Sequence, residues 1–295
     1  MASSLRVIIV NYNAGESLLA CVKALLERPG AFTVVVADNA SNDGSIAALE
    51  AAFGGDPRLE IQRNAENLGF ARAVNQMARE AREQYLLVLN PDCMLRRGAL
   101  EALIEALEQD PDAAIAGPWV TDSSGKVQSG TWRRFPDPWR SLMTLTGLHR
   151  MSRHAAALEG VNHPRDEPPP ATRRAEAVSG ACMLLRRPAA EAVGFFDEAY
   201  AMHCEDLDLM YRLRDRGFHC LLVPEATAVH LGGVSSVTRP WWVHRQKHIG
   251  MQRYFRKFGA RDHSVPVLWL VYAGIWCHFI LTLPAVAFRH FARSA

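Results

Sequence analysis

The chain has 295 residues, of which 49% are hydrophobic and 22% are charged. This composition excludes an intrinsically disordered chain, and the length suits one large domain or two smaller ones. The net charge of +2 conceals an asymmetry, because residues 1–225 hold 24 Lys or Arg against 30 Asp or Glu, whereas residues 226–295 hold nine against one. A net charge of +8 on the C-terminal part predicts an anionic surface or ligand for that part.

The cysteines and the N-terminus indicate a cytosolic protein. The six cysteines form no CxxC pair and no regular spacing, so we expect reduced and mostly buried thiols. Residues 1–13 carry one Arg and a short apolar run. That run is too short for a signal peptide and predicts a first strand.

Strand-like and helix-like segments alternate along the first 120 residues. Apolar runs that predict strands occupy residues 5–11, 32–38, 59–64, 85–90 and 113–120. Helices are expected between them at residues 17–27, 45–53, 70–84 and 98–110. Strand–helix alternation with nearly continuous apolar strands predicts an α/β fold, with a mostly parallel sheet covered by helices on both faces.

After residue 120 the alternation ends. A Pro-rich, charged stretch predicts a mobile loop at residues 160–172. Beyond it we expect a strand at residues 177–187, a helix at residues 204–218 and a further strand at residues 219–224.

The C-terminal part joins a basic stretch to an uncharged one. Residues 264–288 contain no Asp, Glu, Lys or Arg and are numerous enough to cross a bilayer core, although Pro266 and Pro284 argue against a simple span. A buried C-terminal helix is the alternative. Residues 239–261 are basic and include two adjacent tryptophans. Because cations attract anionic lipid and Trp favours the interface, we expect an anionic membrane surface, and no nucleic acid, as the partner.

Polar residues stand at the ends of three predicted strands. Residues 11–13 end the first strand as Asn-Tyr-Asn, Asp38 ends the second, and residues 90–92 follow the fourth as Asn-Pro-Asp. In parallel sheets, ligands bind outside the carboxyl ends of the strands, so these residues form a candidate site. Asp38 could accept a hydrogen bond from a pyrimidine base or a ribose hydroxyl. Taken singly, each end is equally typical of a turn.

Familiar nucleotide and calcium motifs do not account for these residues. Neither GxGxxG nor GxxxxGK[ST] occurs, which argues against an ordinary dinucleotide site and a P-loop. Residues 39–50 imitate a calcium-binding EF-hand loop, but a strand precedes them, and we interpret them as a turn before a helix. His230 is a lone histidine that could be structural, or could complete a divalent-ion site near Asp92.

Two further stretches carry candidate groups. Residues 64–76 are polar and then open a helix, where Gly69 would let the backbone approach a phosphate; an ordinary capped helix is the alternative. Glu205 and Asp206 lie near another predicted helix start. Negative charge is favourable there without any catalytic role, but clustered carboxylates also suit a general base.

Together these stretches resemble the inverting family 2 glycosyltransferases, which have the GT-A fold, and more narrowly their rhamnosyltransferase-type members. The motifs occur in the family's order and cover roughly residues 5–236. They are VIIVNYN (7–13), VVVADNASNDGS (34–45), NLGFARAVNQ (67–76), LLVLNPD (86–92), SGACMLLRR (179–187), EDLDLMYRLRDRGF (205–218) and HLGGVSS (230–236).

The resemblance implies a role for each candidate residue. The nucleotide would be held by Asn11, Tyr12, Asn13 and Asp38. The donor sugar and diphosphate would be lined by Asn67, Gly69, Phe70, Asn75 and Asn90. A Mg²⁺ or Mn²⁺ ion would be held by Asp92 and His230. The general base would be Asp206, with Glu205 as its competitor.

Two positions depart from the family's pattern. Asn90 replaces the first Asp of the family's DxD motif, which puts strict metal dependence in doubt. Cys204 replaces the aromatic residue expected before the acidic pair, which leaves the local packing open.

The resemblance also implies a domain organisation and a reaction. Residues 1–236 would form the GT-A domain, with a nucleotide-binding half (1–120) and an acceptor or catalytic half (121–236), followed by membrane-associating helices (237–295). The enzyme would move a sugar from a nucleotide-sugar donor, with dTDP-rhamnose favoured, to a glycan or polyprenyl-diphosphate-linked acceptor. Its place would be cell-surface polysaccharide synthesis at the cytoplasmic face of the inner (plasma) membrane. The alternatives are a nucleotidyltransferase and a membrane-tethered sugar-nucleotide-binding protein without catalysis.

Overall fold

A computed structural model describes residues 4–151, 156–163, 167–232 and 239–294. Part of the predicted loop at 160–172 and the end of the HLGGVSS motif lie outside these ranges. Five cysteines are buried and Cys277 is exposed, which confirms the expectation of mostly buried thiols.

The first half of the chain alternates as predicted. Its strands are β1 (Leu5–Asn11), β2 (Phe32–Asp38), β3 (Leu59–Arg63), β4 (Tyr85–Leu89), β5 (Cys93–Leu95) and β6 (Ala113–Thr121). Its helices are α1 (Glu16–Leu26), α2 (Ser45–Phe53), α3 (Phe70–Glu80) and α4 (Ala99–Gln109). The short β5 was not predicted, because three residues are too few to show a periodic pattern.

The second half adds shorter elements. Its strands are β7 (Trp132–Arg133), β8 (Arg173–Ala175), β9 (Ala177–Val178), β10 (Cys182–Arg186) and β11 (His219–His230). Its helices are α5 (Pro138–Thr146), α6 (Arg187–Ala192), α7 (Glu205–Arg214), α8 (Pro240–Tyr254), α9 (Ala260–Asp262) and α10 (Val265–Ser294). Short 3₁₀ helices lie at Leu148–Met151 and Ala156–Leu158, and a π-helical turn at Phe255–Gly259.

One large sheet runs through the domain in the order β3-β2-β1-β4-β10-β6-β11-β5, with β8 also pairing with β11. Strands β1, β2, β3 and β4 are parallel, as predicted. Strand β10 enters antiparallel between β4 and β6. Strands β7 and β9 form a separate two-stranded sheet.

Alternate residues of β1 enter the cores on the two faces of the sheet, which is why the strand is apolar at nearly every position. Ile8 belongs to the core that includes Met77 of α3. Ile9 belongs to the core that includes Leu18 of α1 and Leu103 of α4. The sheet is thus covered on both faces and its carboxyl ends remain available for a site.

Two predicted strands have different bounds in the structure. The strand expected at 177–187 is divided into β9 and β10, with residues 179–181 between them. The strand expected to end at residue 224 continues to His230, because a register shift between Val223 and Thr227 lets it pass Pro224 and pair again with β6. Proline cannot donate to a ladder, so the sequence pattern appeared to end there.

The C-terminal helices pack against the domain and against one another. Helix α8 contacts α10, whose Leu268 and Ile275 are buried. In the described part of the chain, Val265–Phe288 is the helix long and apolar enough to cross a membrane.

Candidate active site

Asn11 and Asp38 face each other at the carboxyl ends of β1 and β2, where they are partners in the parallel register. Asn11 Nδ2 lies 2.9 Å from Asp38 Oδ1, 3.0 Å from Ser41 Oγ and 2.9 Å from Ser45 Oγ. Both residues are buried. Asn11 therefore holds the Asp38 carboxylate in a fixed orientation at the edge of the crevice.

Tyr12 and Asn13 continue from β1 into the next loop. Asn13 has a left-handed backbone (φ 52°), and its Oδ1 accepts from the Asn42 amide at 2.9 Å. The Tyr12 ring is half-buried, and the Arg239 guanidinium lies 5.4 Å from its centroid. The start of the C-terminal part thus reaches the edge of the candidate nucleotide site.

In residues 39–50, which imitate a calcium-binding loop, the Asp43 carboxylate is engaged in hydrogen bonds with the protein itself. Asp43 Oδ2 accepts from the Gly15 amide at 2.7 Å, and Asp43 Oδ1 accepts from Ser45 Oγ at 2.6 Å. Burial raises the pKa of Asp43, but the hydrogen bonds from Ser45 and Gly15 outweigh it and hold the pKa below its usual value. These contacts support the turn interpretation of this stretch.

The start of α3 is tied to the end of β2. Asn67 Oδ1 accepts from the Gly69 amide at 2.9 Å, and Asn39 Nδ2 donates to the Gly69 carbonyl at 3.3 Å. Gly69 has φ 80° and ψ 169°, a conformation that side chains strongly disfavour. A glycine is required here, and the turn brings the helix N-terminus towards the carboxyl ends of the strands.

Asn75 connects α3 to the segment before α7. Its side chain is fully buried, and its Nδ2 donates to the Phe196 carbonyl at 2.8 Å and to Glu198 Oε1 at 2.9 Å. Its Oδ1 accepts from the Phe196 amide at 3.0 Å. Phe70 packs edge-on against the Phe196 ring at 5.9 Å. The polar atoms of Asn75 are therefore engaged by the protein itself, and its donor contact stays a prediction.

Asp92 and His230 come together although 138 positions separate them in the chain. His230 Nε2 lies 3.1 Å from Asp92 Oδ1 and 3.3 Å from Asn90 Nδ2. Strands β5 and β11 bring them together, because Cys93 pairs with His230 in the antiparallel register. The predicted pair is therefore a geometric cluster at the carboxyl end of β4.

Gln128 fixes the orientation of the His230 ring. Gln128 Nε2 donates to the His230 carbonyl at 2.5 Å, which leaves Gln128 Oε1 facing His230 Nδ1 at 2.7 Å. Nδ1 then donates to Gln128, and Nε2 is the ring nitrogen that faces the Asp92 carboxylate. An imidazole nitrogen beside a carboxylate oxygen is a donor set for Mn²⁺ or Mg²⁺, so these residues fit a divalent ion.

The described residues contain no group of three His, Cys, Asp or Glu side chains able to hold a metal. Asp92 and His230 would therefore leave several positions to other ligands. That is typical of Mg²⁺ sites that bind through one or two carboxylates and the phosphates of a substrate.

Asp206 lies in the first turn of α7 and forms an ion pair with Arg133 of β7. Its other oxygen accepts from the Leu207 amide at 2.8 Å. A Cβ on Gly180 would lie 2.7 Å from Asp206 Oδ2, so glycine is required where the chain passes between β9 and β10. The sequence indicated Asp206 but not Arg133, which lies in a stretch without periodic pattern.

Glu205 differs from its neighbour in environment. Its Oε2 is buried and has no hydrogen-bond partner in the described part of the chain. Burial, with a smaller contribution from the charge of Asp206, raises the pKa of Glu205 to about 8. Glu205 therefore carries a proton in most molecules at pH 7.

The turn before these two acids is strained and closely packed. His203 and Cys204 both have left-handed backbones, with φ of 66° and 69°. A Cβ on Gly250 of α8 would lie 2.7 Å from the His203 carbonyl oxygen. Left-handed non-glycine residues cost on the order of 1 kcal/mol or more each, so α8 helps to hold an unfavourable conformation at the candidate base.

Asp208, the third acid of this helix, is structural. It is fully buried and forms ion pairs with Arg212 and with Lys257, whose Nζ lies 2.6 Å from Asp208 Oδ2. Lys257 also contacts Asp197 at 2.8 Å. These contacts connect α7 to the C-terminal helices.

Residues 180–181 lie between Asn90, which adjoins Asp92 and His230, and the acidic residue Asp206. The Asn90 amide donates to the Ala181 carbonyl at 2.9 Å, and the adjacent Gly180 abuts Asp206. The structure therefore brings Asn90, Asp92 and His230 close to Asp206, at the carboxyl edge that also holds Asn11 and Asp38.

Family models and a known relative match more than half of this chain. A model of glycosyl transferase family 2 matches residues 6–162, and a model of glycosyl transferase family group 2 matches residues 85–292. An N-acetylglucosaminyl-diphospho-decaprenol L-rhamnosyltransferase of Mycobacterium tuberculosis is 33% identical over 253 residues, which cover 78% of this chain and 76% of the relative.

Two solved structures are similar in fold. The mannosyltransferase PcManGT from Pyrobaculum calidifontis, in complex with GDP-Man and Mn²⁺, has a TM-score of 0.59 at 18% identity and covers 98% of this chain and 73% of its own. GalNAc-T7 with UDP, GalNAc and Mn²⁺ also has a TM-score of 0.59 at 18% identity. That match covers 85% of this chain and half of the GalNAc-T7 chain.

Proposed function

Because the chain belongs to glycosyl transferase family 2 and has the GT-A fold, it is a glycosyltransferase, and we propose that it is an inverting rhamnosyltransferase acting on a lipid-linked glycan. The observation that carries the proposal is the Asp92–His230 pair, with 3.1 Å between Oδ1 and Nε2, which residues 180–181 connect to Asp206. The L-rhamnosyltransferase relative supports rhamnose as the transferred sugar and a polyprenyl-diphosphate-linked acceptor. The choice of dTDP-rhamnose as donor rests on the resemblance of the sequence motifs.

The donor would lie along the carboxyl ends of β1, β2 and β4. Asp38, oriented by Asn11, would accept from the base or the ribose of the nucleotide, with Tyr12 and Asn13 beside it. The turn at Asn67 and Gly69 would place the α3 N-terminus near the diphosphate, where its amides and dipole favour negative charge. Asn75 would act indirectly, by holding the segment that leads to α7.

Asp92 and His230 would hold a Mg²⁺ or Mn²⁺ ion, with Asn90 beside them. When bound, such an ion neutralises the charge that develops on the departing diphosphate. With Asn90 in place of a carboxylate the protein supplies one negative charge, so we expect affinity for the free ion to be modest and to increase when the donor diphosphate is present.

Asp206 would accept the proton of an acceptor hydroxyl as its oxygen attacks the anomeric carbon. The bond to the nucleoside diphosphate breaks in the same displacement, and a single displacement inverts the anomeric configuration. Arg133 would orient the Asp206 carboxylate through their ion pair. Glu205 is the weaker candidate, because a carboxyl group that carries its proton at pH 7 accepts no second one.

A screen of nucleoside diphosphate release tests this proposal. The full chain is incubated with dTDP-, UDP- and GDP-sugars, with and without Mn²⁺ or Mg²⁺, in the presence of membranes that carry lipid-linked acceptors. We expect metal-stimulated release from dTDP-rhamnose that Asp206→Asn abolishes and Asp112→Asn, a control at an exposed position, leaves intact. Absence of release from every donor, with donor binding retained, would favour a binding protein without catalysis.

A further inference from the structure

The outer side of α10 is apolar and exposed. Between 62% and 77% of each of six large side chains on this helix is accessible to solvent. They are Val265, Trp269, Leu270, Ile280, Leu281 and Phe288. A soluble protein rarely exposes so large a contiguous apolar patch, so this side of α10 indicates a contact with lipid or protein.

Helix α5, which the sequence patterns did not predict, presents a second apolar face. Trp139, Leu142 and Leu145 lie on one side of it and are about half exposed, whereas Met143 points inward and is buried. Leu148 and Met151 of the following 3₁₀ helix are also exposed. Helix α5 contacts α10, so the two apolar faces belong to one region of the surface, which we call the α5–α10 surface.

Charge around this surface favours an anionic partner. Residues 138–151 contain Arg140, which is already paired with Asp137 and Glu176, and Arg150, which is exposed, and residues 226–295 carry a net charge of +8. Among them, Arg245 and Lys247 of α8 are exposed. Apolar side chains with exposed indoles and flanking cations are typical of helices that lie at an anionic phospholipid surface.

The inner side of α10 is bonded to α8 at three successive levels. Trp276 Nε1 donates to Gln252 Oε1 at 3.2 Å, His278 Nδ1 lies 2.9 Å from His248 Nε2, and Thr282 Oγ1 lies 3.2 Å from His244 Nε2. The helices therefore run antiparallel along most of the length of α8.

Helix α8 is in turn fixed to the catalytic body. Gly250 packs against the His203 carbonyl, and Arg253 contacts Asp197 at 3.0 Å. If α10 crossed a bilayer, either these polar bonds would break or α8 would enter the hydrocarbon with Arg245 and Lys247, which is costly.

From these contacts we propose that α10 lies in the plane of an anionic membrane instead of crossing it, and that the α5–α10 surface is the face of the enzyme that contacts the membrane. The occupant of this surface is a phospholipid bilayer. The inference is consistent with the lipid-linked acceptor of the proposed function, but its tests do not depend on glycosyl transfer. The α8–α10 bonds and the Gly250–His203 contact then connect the α5–α10 surface, through α8, to the turn that precedes Asp206.

The orientation of α10 is tested by protease access in membranes from cells that express the full chain with one epitope at each terminus. In inverted vesicles both epitopes should be digested, and in spheroplasts both should be protected. Digestion of the N-terminal epitope alone in inverted vesicles would show that α10 crosses the membrane and would overturn the proposal.

The role of α5 is tested with purified protein and vesicles that contain phosphatidylglycerol. We expect the double variant Leu142→Glu/Leu145→Glu to bind about tenfold more weakly or worse, because two exposed apolar contacts are lost and two anions are added. Leu270→Glu on α10 should weaken binding similarly, whereas Ala51→Glu at an exposed position of α2 should not.

Two results would contradict the proposed surface. Unchanged vesicle binding by the α5 double variant, with its folding verified by circular dichroism, would exclude α5 from the surface. A concentration-dependent dimer that the same variants dissociate, without vesicle binding by the unmodified chain, would assign the surface to a second copy. Because neither readout needs a donor sugar, failure here is separable from failure of the glycosyltransferase proposal.

Discussion

Replacing Gln128 by Met tests the metal site through a residue that neither the motifs nor the family pattern indicated. Gln128 holds His230 by two bonds, 2.7 Å from Oε1 to Nδ1 and 2.5 Å from Nε2 to the carbonyl. Met has similar length but only a weak acceptor in its thioether, so Nδ1 would lose its partner and Nε2 would no longer be held facing Asp92. Loss of such an outer partner lowers metal affinity by about 10- to 100-fold.

The assay is calorimetric titration of Mn²⁺ into the protein with dTDP present. Gln109→Met is a matched control, because Gln109 lies on α4 and bonds to Glu105, on the outside of the sheet. Gln128→Glu retains an acceptor and should lose less affinity than Gln128→Met. Equal Mn²⁺ affinity in the unmodified chain and in Gln128→Met would refute the assignment of this cluster as the metal site.

Three further predictions concern the acidic pair. Arg133→Met should lower kcat by about tenfold or more with a smaller change in KM, and Arg133→Lys should retain more activity. Equal kcat in the unmodified chain and in both variants would contradict a positioning role for Arg133. Gly180→Ala should lower kcat by up to about 100-fold with stability largely kept, because the new Cβ would displace Asp206; steady-state kinetics beside thermal unfolding check it. The folded-state pKa of Glu205 is raised to about 8, so the folded chain retains a proton that the unfolded chain releases, and the free energy of unfolding falls as pH rises from 4.5 towards 8. Glu205→Gln should flatten that fall and stabilise the protein by about 1–3 kcal/mol at pH 8 in urea unfolding, and an unchanged slope would contradict the burial argument.

The first 120 residues were predictable because their signals are local. Strands β1 and β2 are apolar at almost every position and end in polar residues, and a parallel register brings those ends together without further information. The family resemblance then placed Asp92 and His230 in one cluster, and the structure confirms that they lie 3.1 Å apart. Their roles in catalysis and metal binding stay predictions.

The second half was less predictable because its contacts are distant in sequence. Gln128 meets His230 across 102 positions and Arg133 meets Asp206 across 73, and neither residue lies in a periodic segment. The partner of Asn75 is Phe196, 121 positions away, so no local signal separates a buried clamp from a ligand contact. The sequence therefore identifies each candidate polar residue but not the distant residue that contacts it.

For the C-terminal part, too, the sequence alone does not determine how the helix contacts a membrane. The composition of residues 264–288 predicted an apolar helix and a membrane contact, but composition is the same for a helix that spans and one that lies flat. The distinction comes from the His248–His278 and Gln252–Trp276 bonds, which attach one side of α10 to a charged helix.

The most direct test of the central claim is transfer of labelled rhamnose from dTDP-rhamnose to a polyprenyl-diphosphate-linked N-acetylglucosamine by the full chain in membranes. We expect a labelled lipid product with inverted anomeric configuration, stimulated by Mn²⁺ or Mg²⁺, formed by the unmodified chain and by Asp112→Asn but not by Asp206→Asn. Equal product from Asp206→Asn would contradict the assignment of the base, and a product with retained configuration would contradict the single-displacement mechanism itself.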